Sequence, residues 1–149
     1  MRMRLDQDFN DFIGYLHARE VRFLVVGGYA VAVHGHPRYT GDLDVWIAVE
    51  QANAQCLLDA LEDFGFGSVG LSVADFAETD RVIQLGYPPL RIDLLTSLDG
   101  VEFEACYNRR MEVSLDGTVV PFIALDDLRL NKAASGRPQD LADLAALED

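Results

Sequence analysis

Lysine is almost absent from this chain: of its twelve basic residues eleven are arginine, and Lys132 is the only lysine. The basic residues are outnumbered by 25 acids, so the formal net charge is −13. Such a surface repels polyanions at long range, and the clustered Lys and Arg that hold long nucleic acids are scarce. We therefore expect no bulk nucleic-acid binding, although a short RNA end could still dock on a local basic patch.

Cysteine and long apolar runs are scarce as well. Cys56 and Cys106 lie far apart, which favours neither a disulfide framework nor a zinc knuckle and fits a reducing compartment. No apolar run approaches the ~20 residues of a membrane-spanning helix. The basic residues at the start are not followed by the apolar stretch of a secretory signal. We expect a cytoplasmic protein without membrane contact.

The remaining composition is that of a globular chain, because half of the residues are hydrophobic and a quarter are charged. A length of 149 residues matches one ordinary domain, and no linker, repeat or low-complexity tract divides it. We predict a single domain over residues 1–149.

Helical and strand patterns alternate along this domain, which predicts a sheet flanked by helices. The predicted helices cover residues 5–20, 29–34, 51–64, 102–110, 125–134 and 138–148, with a single helical turn at 72–78. The predicted strands cover residues 22–26, 42–49, 81–86, 90–95, 111–115 and 118–123.

Two acids share one face of the second predicted strand. Asp42 and Asp44 are two residues apart, so their side chains point the same way, with Cα atoms roughly 7 Å apart. Converging carboxylates repel unless one is protonated or a cation lies between them, and Mg²⁺ prefers such oxygen ligands. Trp46 shares this face and could either stack on a nucleobase or pack in the core.

Two further features strengthen the metal interpretation of these acids. Gly27 and Gly28 lie between a predicted strand and a predicted helix, where free N–H groups and the helix dipole favour an anion. Asp93 is an acid within an apolar strand, which is costly unless it is paired or bound to metal. Arg91 on the same face offers the simpler alternative of an ion pair with Asp93.

Together these residues resemble the nucleotidyltransferase superfamily of polymerase β-like fold. The superfamily pattern is a glycine turn, an acid pair on the next strand and a third acid on a later strand, here Gly27–Gly28, Asp42 with Asp44, and Asp93. The details are similar to the small bacterial branch related to toxin–antitoxin, abortive-infection and antibiotic nucleotidyltransferases. The residues that carry this similarity are Gly28-Tyr29-Ala30, His34-Gly35, Arg38, Thr40, Leu130 to Ala134 and Arg137 to Leu144.

The resemblance implies an α/β (α+β) fold with a small mixed sheet and a C-terminal helical pair. It implies transfer of a nucleoside monophosphate from a nucleoside triphosphate to a hydroxyl acceptor. Asp42 and Asp44 would hold Mg²⁺ and the triphosphate, and Asp93 would bind a second ion and help to deprotonate the acceptor. Mn²⁺ could substitute for Mg²⁺. The acceptor, whether an RNA end, a protein or a small molecule, is not specified.

The nucleotide-binding candidates are Gly27, Gly28, Arg38, Thr40, Lys132 and Arg137. Lys132 is the leading counter-charge for phosphate because it is the solitary lysine, although chance is a fair rival explanation. Arg38 could contact the triphosphate or pair with Asp42. A non-catalytic nucleotide-binding or protein-interaction component of a toxin–antitoxin-like system is the rival function. A protein partner or a homodimer is also expected.

Overall fold

The computed structural model describes residues 7–36, 41–67, 70–87 and 91–147. Helices and strands alternate through these ranges, as the sequence predicts. The helices are α1 (Gln7–Ala18), α2 (Gly27–Val33), α3 (Gln51–Phe64), α4 (Val73–Phe76), α5 (Phe103–Asn108), α6 (Leu125–Ser135) and α7 (Pro138–Leu147). The strands are β1 (Phe23–Val26), β2 (Asp42–Ile47), β3 (Val82–Leu85), β4 (Arg91–Leu95), β5 (Met111–Leu115) and β6 (Thr118–Phe122).

The six strands form one mixed sheet in the order β3-β4-β2-β1-β6-β5. The central pair β1 and β2 is antiparallel, whereas β2 with β4 and β1 with β6 are parallel. The outer strands β3 and β5 are antiparallel to β4 and β6. The acid-bearing strands β2 and β4 are therefore hydrogen-bonded neighbours, although 43 residues separate the ends of β2 and β4 nearest in sequence.

Apolar periodicity explains the helix that opens the described chain. Phe9, Phe12, Ile13 and Leu16 recur at helical spacing in α1 and are all buried. Burial of each such side chain contributes about 1.5–3 kcal/mol. The ring of Phe12 meets that of Phe64 edge-on at 5.3 Å between centroids, which ties α1 to α3.

The hairpin of β5 and β6 turns where the sequence predicts. Asp116 and Gly117 both have positive φ, at 49° and 87°, as a two-residue type I′ turn requires. Asp tolerates this region better than most residues and Gly enters it freely, so the pair fixes the register of Leu115 opposite Thr118.

The two faces of β2 differ as its alternation predicts, with one addition. Leu43, Val45 and Ile47 are fully buried on one face. On the other face Trp46 is also buried, because its ring packs edge-on against Phe103 of α5 at 5.2 Å. Trp46 thus belongs to the core, and only the part of this face that carries the acids is left open by α5.

Many boundaries differ from the predicted ones by one or two residues, and two of these differences lie next to the glycine pair and the acid pair. Helix α2 begins at Gly27 rather than at Tyr29, so no loop separates it from β1. Strand β2 ends at Ile47 rather than at residue 49, where the chain leaves the ladder toward α3. In the described ranges, every helix is too short or too polar to cross a bilayer.

Candidate active site

The sheet register brings the three predicted acids together. Asp44 of β2 lies directly opposite Asp93 of the parallel neighbour β4, and Asp42 stands two residues earlier on the same face. Neighbouring strands lie about 4.8 Å apart, so these carboxylates converge although the residues are distant in sequence. Asp93 is buried and Asp44 and Asp42 are partly exposed, so the cluster is partly shielded from solvent.

Gly27 allows the acid cluster to lie against the start of α2. It has φ of +68°, which side chains rarely permit. A Cβ atom added there would stand 2.0 Å from Oδ2 of Asp44 and 2.9 Å from its Cγ. Glycine is required at this position both by the backbone conformation and by the space that the Asp44 carboxylate fills.

The electrostatics of the cluster are dominated by Asp44. Burial, followed by the negative charges of Asp93 and Asp42, raises the pKa of the Asp44 carboxyl to about 7. A hydrogen bond with Asp93 acts in the same direction, which means that the two carboxyl groups share a proton most readily. Asp44 is therefore held partly protonated at neutral pH, in an environment that favours a cation.

Arg91 contributes a positive charge to the cluster. Its Nε and Nη2 donate hydrogen bonds to the two oxygens of Asp93 at 3.0 and 3.1 Å, and Nε lies 3.8 Å from Oδ2 of Asp42. The ion pair that the sequence offers as an alternative for Asp93 is thus formed. One arginine against three acids leaves the cluster two charges negative when all three are ionised.

The acid cluster offers the kind of ligand atoms that a hard divalent cation prefers. It consists of carboxylate oxygens, two of which are close enough to share a proton that a metal ion could replace. In the described parts of the chain no three Asp, Glu, His or Cys side chains already converge as a complete ligand cage, since Asp93 is turned toward Arg91. Mg²⁺ suits such a partial set, because it usually keeps several waters and takes phosphate oxygens as further ligands.

Lys132 of α6 is buried and has two acidic partners. Its Nζ donates to Asp140 at 2.9 Å and to Asp143 at 3.0 Å, both on α7. Asp140 also accepts from Nε of the exposed Arg137 at 2.8 Å. Although burial raises the pKa of Asp140, the hydrogen bonds from Ser135 and Lys132 outweigh it and lower the pKa to about 2.

This network lies within electrostatic range of the acid cluster. Burial is the largest influence on the pKa of Asp44 and acts upward, whereas the positive charge of Lys132 acts downward. Two of the three ammonium protons of Lys132 are committed to α7, which leaves one donor. Asp140 and Asp143 were not among the site residues predicted from the sequence. The one sequence signal for their pairing was a solitary lysine followed by two acids, 8 and 11 residues later, since a cation that becomes buried needs a counter-charge.

The other predicted residues are distributed as follows. Gly28 is buried in the first turn of α2 next to Gly27. Arg38 and Thr40 lie outside the described residues. His34 directly follows α2, with Nε2 hydrogen-bonded to the carbonyl oxygen of Ile123 at 2.8 Å.

Paired acids on β2, a third acid on the adjacent parallel strand and a glycine-started helix define a protein of the nucleotidyltransferase class. The chain belongs to the family described as nucleotidyltransferase of unknown function (DUF6036), whose model matches residues 3–148. No curated protein matches the chain by sequence.

Two solved structures are similar in fold. A nucleotidyltransferase-like antigenic protein from Paracoccidioides brasiliensis superposes with a TM-score of 0.52 at 18% identity, covering 93% of this chain and 72% of that one. A candidate nucleotidyltransferase from Thermotoga maritima superposes with a TM-score of 0.58 at 14% identity, covering 94% and 88%. At these identities the similarity establishes the fold alone.

Proposed function

We propose that this protein is a Mg²⁺-dependent nucleotidyltransferase that moves a nucleoside monophosphate from a nucleoside triphosphate to a hydroxyl acceptor, with pyrophosphate leaving. The observation that carries the proposal is the convergence of Asp42, Asp44 and Asp93 on one face of β2 and β4, with Gly27 fitted against the Asp44 carboxylate. Three acids that converge on one face repel one another unless a proton or a cation lies between them, and this supports a metal site.

Each acid has a distinct role in the proposal. Asp42 and Asp44 hold the metal and with it the triphosphate, and Asp93 contributes to a second metal position and accepts the proton of the acceptor hydroxyl. Magnesium, or manganese in its place, supplies the positive charge that steadies the attacking and leaving oxygens. Arg91 serves as the counter-charge of Asp93 and Asp42 in the metal-free protein.

The phosphates are assigned to the start of α2 and to two basic side chains. The first N–H groups of a helix have no acceptor within that helix, so the amides of Gly27 and Gly28 are candidate donors to a phosphate. The third proton of Lys132 and the exposed guanidinium of Arg137 are the candidate side-chain contacts. Arg38 and Thr40 remain candidates from the sequence.

Three classes of acceptor are compatible with the proposed reaction. An RNA end, a protein and a small molecule each present a hydroxyl, and the net charge of −13 favours a ligand that is not a long polyanion. A cytoplasmic location, with a protein partner or a homodimer, is part of the same proposal. The rival is a non-catalytic component of a toxin–antitoxin-like system, which binds the nucleotide without transferring it.

The proposal is tested by incubating the protein with Mg²⁺ and ATP labelled at the α-phosphate, together with RNA, protein and small hydroxylic acceptors in separate reactions. We expect label in one acceptor and release of pyrophosphate. Asp93→Asn should abolish transfer, whereas Asp11→Asn on the surface of α1 is the matched control and should retain it. Nucleotide binding without transfer to any acceptor class would favour the non-catalytic rival.

A further inference from the structure

Arg91 binds both oxygens of the Asp93 carboxylate. Nε of Arg91 donates to Oδ1 of Asp93 at 3.0 Å, and Nη2 donates to Oδ2 at 3.1 Å. Two parallel hydrogen bonds between charged groups are shorter and roughly twice as strong as hydrogen bonds between neutral groups. A divalent ion that used Asp93 as a ligand would therefore meet a carboxylate that already holds a cation with both of its oxygens.

The guanidinium of Arg91 lies on one side of the acid cluster. In the register of β2 with β4, Arg91 stands opposite Asp42, and its Nε is 3.8 Å from Oδ2 of Asp42. On the β1 side, the Asp44 carboxylate lies against Gly27 at the start of α2. Among the described residues, Asp93 is thus the one acid of the cluster that a cation holds at two points.

Arg91 is able to leave this pair, whereas Asp93 is not. The side chain of Arg91 is 32% exposed and that of Asp93 is 12% exposed. Within the described part of the chain, the hydrogen bonds of the guanidinium go to Asp93 alone, so its release into solvent breaks no other bond. A buried carboxylate without a partner is costly, so Arg91 leaves only when another cation takes its place at Asp93.

We propose that Arg91 is a positioning residue that supplies, in the protein without nucleotide, the positive charge that a second metal ion would bring to Asp93. The protein without nucleotide then binds one divalent ion, at Asp42 and Asp44, and Asp93 becomes a metal ligand only when the guanidinium is released. The inference rests on the proposed function, because it requires that the three acids bind metal. It adds an order of binding, since a second ion has to compete with Arg91.

A nucleoside triphosphate changes this competition in favour of the ion. Mg²⁺ gains phosphate oxygens as ligands when a triphosphate is present, whereas the pair of Arg91 with Asp93 gains nothing. Release of the guanidinium also frees the oxygens of Asp93 to accept a proton from an acceptor hydroxyl. Arg91 thereby keeps Asp93 from acting as a base until the substrate is bound.

The number of bound ions tests this inference without any measurement of transfer. Mn²⁺ is added to the protein at pH 8 without nucleotide, and the EPR signal of free Mn²⁺ gives the number of ions bound per chain. Arg91→Met removes the charge and both donors at similar side-chain length, and Arg91→Gln is a more polar second variant. Arg81→Met is the matched control, because Arg81 directly precedes β3 of the same sheet and its guanidinium pairs with Glu78.

We expect one bound Mn²⁺ in the parent and in Arg81→Met, and two in each Arg91 variant at the same Mn²⁺ concentration. The second ion should bind to the Arg91 variants about ten- to hundred-fold more tightly than to the parent, which is the usual effect of one charged hydrogen bond. Asp93→Asn added to Arg91→Met should return the number to one, because the second ion depends on this carboxylate.

Equal numbers in the parent and both Arg91 variants, a second ion in Arg81→Met, or a second ion that survives Asp93→Asn would each overturn the inference. If one ion binds to the parent and to both Arg91 variants and is lost in Asp44→Asn, the metal site of the proposed function stands and only the role of Arg91 is refuted. No bound Mn²⁺ in any of these proteins would refute the metal site itself, and this inference with it.

Discussion

Replacement of Asp44 by asparagine should stabilise the protein at pH 8 and have little effect near pH 4. Asparagine keeps the shape of the side chain and removes its charge, so it tests the electrostatic cost of the carboxylate directly. The cost arises because burial and the charges of Asp93 and Asp42 raise the pKa of Asp44 to about 7 from its ordinary value of 3.8.

The magnitude follows from this difference in pKa. Each pKa unit corresponds to about 1.36 kcal/mol, so a rise of roughly three units gives about 4 kcal/mol as an upper value. Relaxation and water penetration reduce it, and we expect about 2–4 kcal/mol. Below pH 3.8 Asp44 is protonated in both the folded and the unfolded chain, and the cost vanishes. The stability of the parent relative to Asp44→Asn therefore falls as the pH rises from about 4 to about 7. Above that range the difference in unfolding free energy is constant.

The assay is thermal unfolding of the parent and Asp44→Asn between pH 4 and pH 8.5, without metal. For a chain of this length about 1 kcal/mol changes Tm by roughly 2–4 °C, so Asp44→Asn should melt about 4–16 °C higher than the parent at pH 8. Addition of Mg²⁺ should raise Tm of the parent and leave that of the variant unchanged.

The control is Asp11→Asn on the exposed surface of α1, which makes the same chemical change away from the acid cluster and should leave Tm close to that of the parent. If Asp44→Asn lowers Tm at pH 8, or changes it equally at all pH values, the carboxylate is part of the scaffold and the electrostatic reasoning is wrong.

Four other outcomes follow. Gly27→Ala should displace the Asp44 carboxylate and abolish Mg²⁺-dependent ATP binding in calorimetry; an unchanged dissociation constant would refute the steric argument. Lys132→Ala leaves two buried carboxylates without their cation and should cost about 3–5 kcal/mol in urea unfolding. At a temperature where this variant is folded, it should weaken ATP binding about ten- to hundred-fold and AMP binding much less, with Lys132→Arg restoring it only in part; equal small losses would make the lysine purely structural. Burial, followed by Asp127, raises the pKa of Cys106 to about 11, so at pH 8 a thiol reagent should modify Cys56 and leave Cys106 unmodified until the chain unfolds. Fluorescence anisotropy should detect no duplex-DNA binding at physiological salt, and micromolar affinity with a steep salt dependence would reveal an overlooked basic face.

The fold could be predicted largely from local pattern. Helix α3 occupies the predicted residues because its apolar stripe ends at a glycine that accepts the left-handed C-cap conformation. The hairpin of β5 and β6 was equally local, since an Asp-Gly pair encodes its turn. Strand order is not a local property: the parallel pairing of β2 with β4 is set by tertiary packing, and the local pattern does not predict it.

The candidate site was predictable to the extent that it depends on alternation along a strand. The two-residue spacing of Asp42 and Asp44 places both side chains on one face in any register. That Asp44 lies opposite Asp93 depends on the pairing of two strands, and the contact of Gly27 with Asp44 depends on the path between β1 and α2. The pairing of Lys132 with Asp140 and Asp143 needed the crossing of α6 and α7, which the sequence does not specify.

The central claim is that the acid cluster binds a metal–nucleotide complex, and calorimetric titration of ATP tests it most directly. Titrations are made with the parent, Asp42→Asn, Asp44→Asn and the control Asp11→Asn, each with Mg²⁺ and with EDTA. We expect binding only with Mg²⁺, only in the parent and in Asp11→Asn, with all four proteins folded. Binding of ATP that is equal in EDTA, or that survives both acid substitutions, would contradict the assignment of these carboxylates to a metal-bound nucleotide.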